Sequence, residues 1–433
     1  MTLPTRIVVP VALAVLVAAG LLLYLWVQLS NAPALSTQTL SNQSGATAVT
    51  ATIPDAPIDS ADQALLHLRR GDLLALQGDW IDAEMEYQTS VKAGGGVPAL
   101  RKLAQAQMQR RETGAVRQTI NQLKRAGARS EDLLLLETLV HLRAGEFDQA
   151  QALLTPAADS PQKQYAQALL DIGRGDHDKA KAELQTVIGG WDPILRSYAR
   201  TIQDAYDEYA TFPDSRPIHL ETLLARALAQ TQECELALPI LSQVIAEQDD
   251  YRDAWMVQGY CELVTERNDQ ALASLERAYA LDPEKPEIQY FLARAHAALG
   301  DHANAITFFQ YALKNGFTPE NEVRKYLAAE AEKINDIPTA LAQYKAMTDA
   351  PDGDIDAYQK YVALLIANGS ADTAYPIAQA AVKKWPDDPV AEELLGWAAS
   401  LTNRRDEAIA ALQKSLKLDP TRDSAREKLK KLQ

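Results

Sequence analysis

The chain has 433 residues, more than one compact domain usually contains, so several domains or a repeat array are expected. Hydrophobic residues make up 47% and charged residues 23%, as in folded chains, which excludes wholesale disorder. The formal net charge of -15 repels phosphate backbones and argues against a nucleic-acid-binding protein.

The N-terminal region contains a long apolar segment. Residues 7–29 carry no charged side chain, and as a helix they would be roughly 34 Å long, enough to cross a bilayer. Arg6 is the only basic residue before this segment, and no Lys or Arg follows it until Arg69. The sequence therefore predicts a single-pass transmembrane helix at 7–29, with residues 1–6 in the cytoplasm and the body outside it.

This topology gives a location and leaves one alternative open. The predicted location is the plasma (inner) membrane, with an extracytoplasmic body. Alternatively, residues 32–34 read Ala-Pro-Ala, which resembles a signal-peptidase site, and cleavage near Ala34 would release a secreted protein. Residues 30–61 are rich in Ser, Thr, Ala and Pro and lack basic residues, so we expect a flexible linker.

The body is predicted to be all-α, because its apolar residues recur at helical spacing between short Gly, Asp, Asn and Pro punctuation. A unit that begins at Arg252 has the following residues at positions 4, 8, 20, 24, 27 and 32: Trp255, Gly259, Ala271, Leu275, Ala278 and Pro283. This pattern resembles the tetratricopeptide repeat (TPR), a 34-residue helix-turn-helix unit. Similar units begin at residues 286, 321, 355 and 389.

More degenerate units precede these, which gives about ten in all. Their phase breaks once, between Gly190 and Ile218. We therefore predict a degenerate N-terminal subarray at 62–190, an extra helix or insert at 191–217, a C-terminal subarray at 218–420 and a polar capping helix at 421–433. The small residues at positions 8 and 20 are expected where paired helices cross closely.

Few residues offer reactive chemistry. The six histidines have no metal-ligand spacing, and the sequence has neither a phosphate loop nor a nucleophile elbow. With only Cys234 and Cys261, a disulfide scaffold or a cysteine zinc site is excluded, and whether the two form one bridge is left open. We predict no catalytic, cofactor-binding or metal-binding residues, and therefore a non-enzyme that needs no cofactor and no small-molecule substrate.

The TPR resemblance implies an α-solenoid that curves into a right-handed superhelix. Its concave face would be lined by the first helix of each unit, usually at positions 2, 5, 9 and 12, and would bind extended or helical peptides. Transferred to this sequence, those positions give eight candidate groove residues: Met256, Tyr260, Tyr290, Arg294, Lys325, Gln359, Glu393 and Trp397. The basic residues with which chaperone-binding TPR domains clamp a C-terminal carboxylate are not assembled at matching positions.

These expectations combine into one leading hypothesis. It is a membrane-tethered bacterial scaffold or adaptor that binds proteins or peptides in its groove, in envelope assembly or secretion-associated chaperoning. The alternative, from another class, is a surface module that binds glycan, cell wall or another cell.

Overall fold

The computed structural model describes residues 60–212 and 214–433. This part of the chain forms 22 α-helices, which confirms the prediction of an all-α solenoid. Within these residues no helix combines the length and the apolar character needed to cross a bilayer. The predicted transmembrane helix at 7–29 and nearly all of the predicted linker at 30–61 lie outside the described residues.

Nine helices make up the first part of the array. They are α1 (Ser60–Leu76), α2 (Trp80–Lys92), α3 (Gly96–Gln109), α4 (Thr113–Arg125), α5 (Ser130–Arg143), α6 (Phe147–Leu154), α7 (Pro161–Arg174), α8 (His177–Ile188) and α9 (Pro193–Ala210). The first eight form four antiparallel pairs. The unpaired α9 lies inside the predicted insert and packs on both α8 and α10.

Thirteen helices complete the described chain. They are α10 (Pro217–Gln230), α11 (Cys234–Glu247), α12 (Arg252–Val264), α13 (Asn268–Leu281), α14 (Pro286–Ala298), α15 (His302–Lys314), α16 (Glu320–Lys333), α17 (Ile337–Asp349), α18 (Ile355–Ala367), α19 (Ala371–Lys384), α20 (Pro389–Leu401), α21 (Arg405–Leu418) and α22 (Asp423–Lys430). They form six pairs, from α10/α11 to α20/α21, and α22 packs on α21.

Local sequence signals set the helix ends. Proline occupies the first turn of α7, α9, α10, α14 and α20, where its missing N–H costs nothing. Asp388 caps α20, because its Oδ1 accepts hydrogen bonds from the backbone N–H groups of Val390 and Ala391 at 2.7 and 3.0 Å. These signals explain why the breaks between helices fall where the punctuation residues are.

The helices of a pair cross where the sequence places small residues. A Cβ atom added to Gly259 of α12 would lie 2.4 Å from Leu275 Cγ of α13, and one added to Gly396 of α20 would lie 2.6 Å from Leu412 Cγ of α21. Ala271, at position 20 of its unit, is fully buried. The repeat thus encodes close helix crossing through the size of individual side chains.

The hydrophobic core passes through the extra helix without interruption. One cluster of buried residues runs from Leu142 in α5 to Cys261 in α12 and includes Ala199 and Ile202 of α9. A second large cluster runs from Tyr290 in α14 to Ala398 in α20. The insert therefore takes part in the packing between its neighbouring helices, and the division into two subarrays around it stays a prediction.

Candidate functional site

Aromatic side chains gather around the first helices of three successive pairs, α12, α14 and α16. The rings of Tyr260 and Phe291 are 5.1 Å apart, and those of Tyr290 and Phe291 are 5.3 Å apart. We call this group the aromatic cluster, and it consists of Tyr260, Tyr290, Phe291, Phe309, Phe317 and Tyr326. Such rings bury much area at low conformational cost, which suits a binding surface.

Arg294 stacks on the aromatic cluster. Its guanidinium carbon lies 4.6 Å from the centre of the Tyr326 ring and 5.9 Å from that of Tyr290. The side chain is half-buried, and among the described residues its one hydrogen bond is donated to Tyr290 Oη at 3.1 Å, with no carboxylate in ion-pair range. Most of its five N–H groups are therefore available to an acceptor on a ligand.

Arg294 stays protonated and positively charged in this environment. Burial alone lowers the pKa of the guanidinium, but the nearby Tyr290, Tyr326 and Glu322 outweigh that effect and raise the pKa above its ordinary value. The site consequently offers a permanent positive charge that is held flat against aromatic faces.

Tyr290 is a buried member of the aromatic cluster and contacts Arg294. It is only 3% exposed, and its ring stacks on Phe317 at a centroid distance of 4.4 Å. Its hydroxyl donates a hydrogen bond of 2.6 Å to Glu322 Oε1, and burial raises the pKa of the phenol. Tyr290 thus lies beneath the surface that a ligand would touch, and it positions Arg294.

Lys325 and Gln359 are exposed on α16 and α18, farther along the array. Lys325 borders a cavity of about 320 Å³, and its Nζ lies 3.7 Å from Asp356 Oδ2. The cavity is lined by Lys325, Ala329, Glu332, Tyr344, Met347, Asp354, Asp356, Ala357 and Lys360. It therefore presents charges of both signs around a partly apolar floor.

Glu393 and Trp397 lie beneath the last helix. Glu393 is 6% exposed, and its carboxylate accepts hydrogen bonds from Arg422 Nη2 at 2.5 Å and Lys428 Nζ at 2.6 Å. The same Lys428 ammonium lies 5.1 Å from the Trp397 ring. Glu393 is thus covered by α22, whereas Trp397 is half-buried, and the binding role of both stays a prediction.

Met256 and Tyr260 of α12 are half-buried at the other end of this surface. Burial raises the pKa of Tyr260 to about 12, and the charges of Arg111 and Arg294 oppose that shift. Arg111 lies in the turn between α3 and α4. It pairs with Glu235 of α11, the helix that packs on α12, so a segment from the first part of the array borders this end of the surface.

That border is an ion-pair cluster, which we call the junction. It consists of Arg111, Arg143, Gln232, Glu233 and Glu235, and it joins the α3–α4 and α5–α6 turns to the start of α11. Arg111 pairs with Glu235 and donates a hydrogen bond of 3.0 Å to the Gln232 carbonyl oxygen. Arg111 in the α3–α4 turn and Gln232 in the α10–α11 turn have φ values of 57° and 69°, so each of these two turns places one residue in the left-handed conformation.

In the first part of the array, the inner side of α7 is covered by another helix of the chain, α9. Tyr165, at position 5 of its unit in α7, is 2% exposed, and its ring lies 6.2 Å from that of Tyr198 in α9. Burial raises the pKa of the Tyr165 phenol well above its ordinary value. Position 5 is thus covered in α7, as it is at Tyr290 in α14, whereas in α16 and α18 the same position presents the exposed side chains of Lys325 and Gln359.

Sequence reasoning missed several members of this site. Phe291 and Tyr326 each follow directly after a predicted residue, at position 6 of their units, so a search for aromatic residues at that position would have found them. Nothing comparable marks the junction, because its residues are distant in sequence. Within the described chain no group of three or more His, Cys, Asp or Glu side chains is arranged to hold a metal ion.

Both cysteines belong to the hydrophobic core. Cys234 and Cys261 are buried free thiols on α11 and α12. Burial, reinforced by its hydrogen bond and proximity to Cys234, raises the pKa of the Cys261 thiol well above its ordinary value. Both residues therefore serve as packing groups in this structure.

Comparison with known proteins identifies the repeats. Residues 263–321 and 362–423 match the family model for the tetratricopeptide repeat. These segments run from the end of α12 to the start of α16 and from α18 to the start of α22, and they include Arg294 and Trp397. These two segments of the array are therefore similar to tetratricopeptide repeats.

Two characterised relatives share part of the sequence. A peroxisomal targeting signal receptor of Candida albicans is 26% identical over 220 residues, which cover 48% of this chain and 36% of the relative. A protein of the same name from Eremothecium gossypii is 23% identical over 292 residues, which cover 63% of this chain and 49% of the relative. The matches span less than half the length of each relative.

Solved TPR structures are also similar to this chain. The crystal structure of YrrB, described as a TPR protein with an unusual peptide-binding site, is 18% identical. It covers 44% of this chain and 97% of its own, with a TM-score of 0.38.

Proposed function

We propose that this chain is a scaffold or adaptor that binds a peptide segment of a partner protein along the first helices α12, α14, α16 and α18. The half-buried guanidinium of Arg294 carries this proposal. It lies 4.6 Å over the Tyr326 ring and has no carboxylate partner among the described residues. A largely desolvated cation with unused donors favours a ligand that brings an acceptor, preferably a carboxylate.

The surface around Arg294 extends this site into a groove for a chain rather than for a small molecule. The half-buried rings of the aromatic cluster supply apolar contact on one side, while Tyr290 and Phe309 are buried beneath them. The exposed Lys325 and Gln359 continue the surface along the next two first helices. Interfaces of this composition combine a few aromatic and arginine anchors with a polar rim. The relatives named as targeting signal receptors support a peptide ligand.

We further propose that residues 7–29 tether this scaffold to the plasma membrane with its body outside the cytoplasm. The observations that support the tether are the uncharged apolar segment and the single Arg6 that precedes it. Such a protein would serve envelope assembly or secretion-associated chaperoning. Protease added to intact cells and to spheroplasts tests this topology: an extracytoplasmic body is digested once the outer barrier is opened, and protection in spheroplasts contradicts the proposal.

Site-specific photo-crosslinking in native membranes tests the groove. A photo-reactive residue is placed in the full chain at position 325, at position 359 or, as a control, at position 345 on the second helix α17, where Lys345 is equally exposed. We expect the same partner to be captured from positions 325 and 359 and not from position 345. Equal capture from all three positions contradicts a groove.

A substitution tests the role of Arg294 in the same experiment. In the chain that carries the crosslinker at position 359, Arg294→Ala should lower the yield at least about fivefold, as expected for an anchor worth 1 kcal/mol or more. Arg324→Ala is the matched control, because Arg324 is a half-buried arginine of α16 whose guanidinium is already paired with Glu320 at 2.7 Å. Equal losses from both variants contradict a specific role for Arg294. Polysaccharide binding that survives removal of the aromatic residues would favour a glycan-binding module instead.

A further inference from the structure

The first helix of the described chain has an exposed apolar face. Four leucines of α1 fall within an arc of about 100° when the helix is viewed along its axis. They are Leu65, Leu66, Leu73 and Leu76, and they are 51, 40, 61 and 49% exposed. The buried residues Ala64 and Gly71 lie on the other side of α1, where Gly71 packs against Tyr87 of α2. The leucine face therefore points away from the partner helix.

The two ends of the array differ in this respect. The last helix, α22, is rich in charged residues, and no large hydrophobic side chain of α22 is exposed in the structure. At the α1 end, by contrast, the neighbouring helix α2 exposes two more large hydrophobic side chains, Ile81 at 60% and Met85 at 55%. Because an unpartnered end of a repeat array normally carries a polar outer face, the leucine face indicates a partner.

We propose that the leucine face docks on the surface of a lipid bilayer, at the boundary between headgroups and acyl chains. This inference rests on the proposed membrane tether. Residues 30–59 would join α1 to the anchored segment, and as a random coil they span on the order of 30 Å. A tether of that length keeps α1 at a high local concentration near the membrane surface.

The charges on and beside α1 sum in favour of this occupant. Arg69 lies within the arc of leucines and is 72% exposed on its side chain, and Arg70 beside it is also exposed. One acidic residue, the exposed Asp62, lies in the same arc. Arg69 is 3.5 Å from Asp72, but Asp72 also pairs with Lys102 at 3.0 Å. The charges of Asp62, Arg69, Arg70, Asp72 and Lys102 therefore sum to a net positive. An apolar face with basic residues is the composition of helices that lie in an anionic membrane surface.

Two other occupants fit less well. A second copy of the chain, paired through a two-fold axis on this face, would bring Arg69 close to the same residue of its partner, and like charges in an interface are unfavourable. Residues 7–29 folded back on α1 would bury only one side of a segment that is apolar all round.

Depth-dependent fluorescence quenching tests the inference on the full chain. Leu73→Cys and, as a control at the other end of the array, Leu418→Cys are labelled with an environment-sensitive fluorophore. Cys234 and Cys261 are fully buried and do not compete for the label. The chain is reconstituted in liposomes that contain phosphatidylglycerol and lipids with a spin label on the acyl chain. We expect at least threefold stronger quenching at position 73 than at position 418.

A second variant separates docking from anchoring. Replacement of Leu65, Leu66 and Leu76 by Ser in the Leu73→Cys chain should abolish the excess quenching, while flotation of the chain with liposomes after an alkaline wash stays unchanged. Equal quenching at positions 73 and 418 in a chain that floats overturns the docking and leaves the anchor standing. Crosslinking between position 73 of two copies without lipid quenching overturns it in favour of a dimer. A chain that does not float overturns the tether and this inference together.

Discussion

Arg143 and Glu233 form a two-pronged ion pair between residues that are 90 positions apart in the sequence. Arg143 Nε donates to Glu233 Oε2 at 2.8 Å, and Arg143 Nη2 donates to Glu233 Oε1 at 3.0 Å. The side chains are only 10 and 4% exposed. This pair holds the end of α5 against the start of α11, and so it binds the N-terminal part of the array to the C-terminal part.

Removal of one partner from this pair should destabilise the fold strongly. Arg143→Ala leaves the Glu233 carboxylate buried without its cation, which typically costs about 3–5 kcal/mol. Denaturant unfolding of the variant and the parent measures this loss. The double variant Arg143→Met with Glu233→Leu removes both charges and should lose much less than the sum of the single changes.

An exposed pair provides the control for this prediction. Arg226 of α10 lies 2.5 Å from Glu208 of α9, and both side chains are 45% exposed. Arg226→Ala should cost only about 0.2–1 kcal/mol, because water and salt screen the pair. Similar losses from Arg143→Ala and Arg226→Ala would show that the junction does not tie the array together.

The close helix crossing at Gly259 predicts a second effect. Gly259→Ala places a Cβ atom 2.4 Å from Leu275 Cγ, which forces the helices apart and should cost about 1–3 kcal/mol. Gly114→Ala in the first turn of α4 is the matched control, since nothing lies within 4 Å of its added Cβ. That variant should be neutral or more stable by up to about 1 kcal/mol.

A double substitution tests whether the contact with Leu275 causes the loss of stability expected for Gly259→Ala. In a Leu275→Ala background, the added methyl of Gly259→Ala meets a shortened side chain, so the further loss should be much smaller than in the parent. Chemical unfolding of the four chains gives the coupling between the two sites. An unchanged loss would place the cause elsewhere in the crossing.

Acid should release the last helix. Burial raises the pKa of Glu393, but hydrogen bonds from Lys428, Ser424 and Arg422 outweigh it and hold the pKa below the ordinary value of 4.5. The carboxylate therefore contributes stability above its unfolded-state pKa, and this contribution is lost as the pH falls through the folded-state pKa. Hydrogen exchange in α22 should accelerate at low pH relative to its neighbour α21.

The variant Glu393→Gln tests the assignment. With the charge removed, α22 should exchange faster already at neutral pH, and the acid dependence of the difference between α22 and α21 should disappear. A variant that keeps this dependence would assign it to another group.

The ionised carboxylate of Asp171 in α7 should lower the stability of the fold, in contrast to that of Glu393. This carboxyl group is 4% exposed, and burial raises its pKa above the ordinary value of 3.8. Between its ordinary and its raised pKa the native state binds more protons than the unfolded state, so stability falls as the pH rises through that window and stays lower above it. Asp171→Asn should therefore raise the melting temperature at neutral pH relative to the parent.

A neighbouring aspartate gives the contrast for this measurement. The hydrogen bond from Lys179, together with its charge, lowers the pKa of Asp176, which lies in the turn that follows α7. Asp176→Asn should therefore lower stability slightly at neutral pH. If both variants shift the melting temperature in the same direction, burial does not determine the behaviour of Asp171.

The repeat period explains what the sequence could predict here. A fixed spacing places Gly259 opposite Leu275 whatever the rest of the chain does, because both residues belong to one helix pair. The same spacing assigns Tyr290 to the inner side of α14 but not its depth, which depends on Phe317 in the segment after α15 and on Glu322 of the next unit. Likewise, the polar C-terminal segment indicated a cap, but its register over Glu393 comes from contacts with Arg422 and Lys428 that the period does not contain.

The contacts of the junction cannot be predicted from the repeat period. Arg143 and Glu233 meet only because the intervening helices bend the chain back, and that curvature is the sum of many small packing angles. No local pattern encodes such a sum. The extra helix α9 was visible as a break in phase, but its consequence for distant contacts was not.

The ion pair of the junction also limits how this array could have grown. Repeat proteins gain or lose whole units by duplication and deletion within a gene, and each unit adds layers of helix spaced about 10 Å apart. Five helices, α6 to α10, lie between Arg143 and Glu233, and a change in their number would move the two residues beyond each other's reach. Among the residues that the structure describes, no ion pair beyond α11 spans as many helices, so copy number can vary there while the segment from Arg143 to Glu233 is held at its present length.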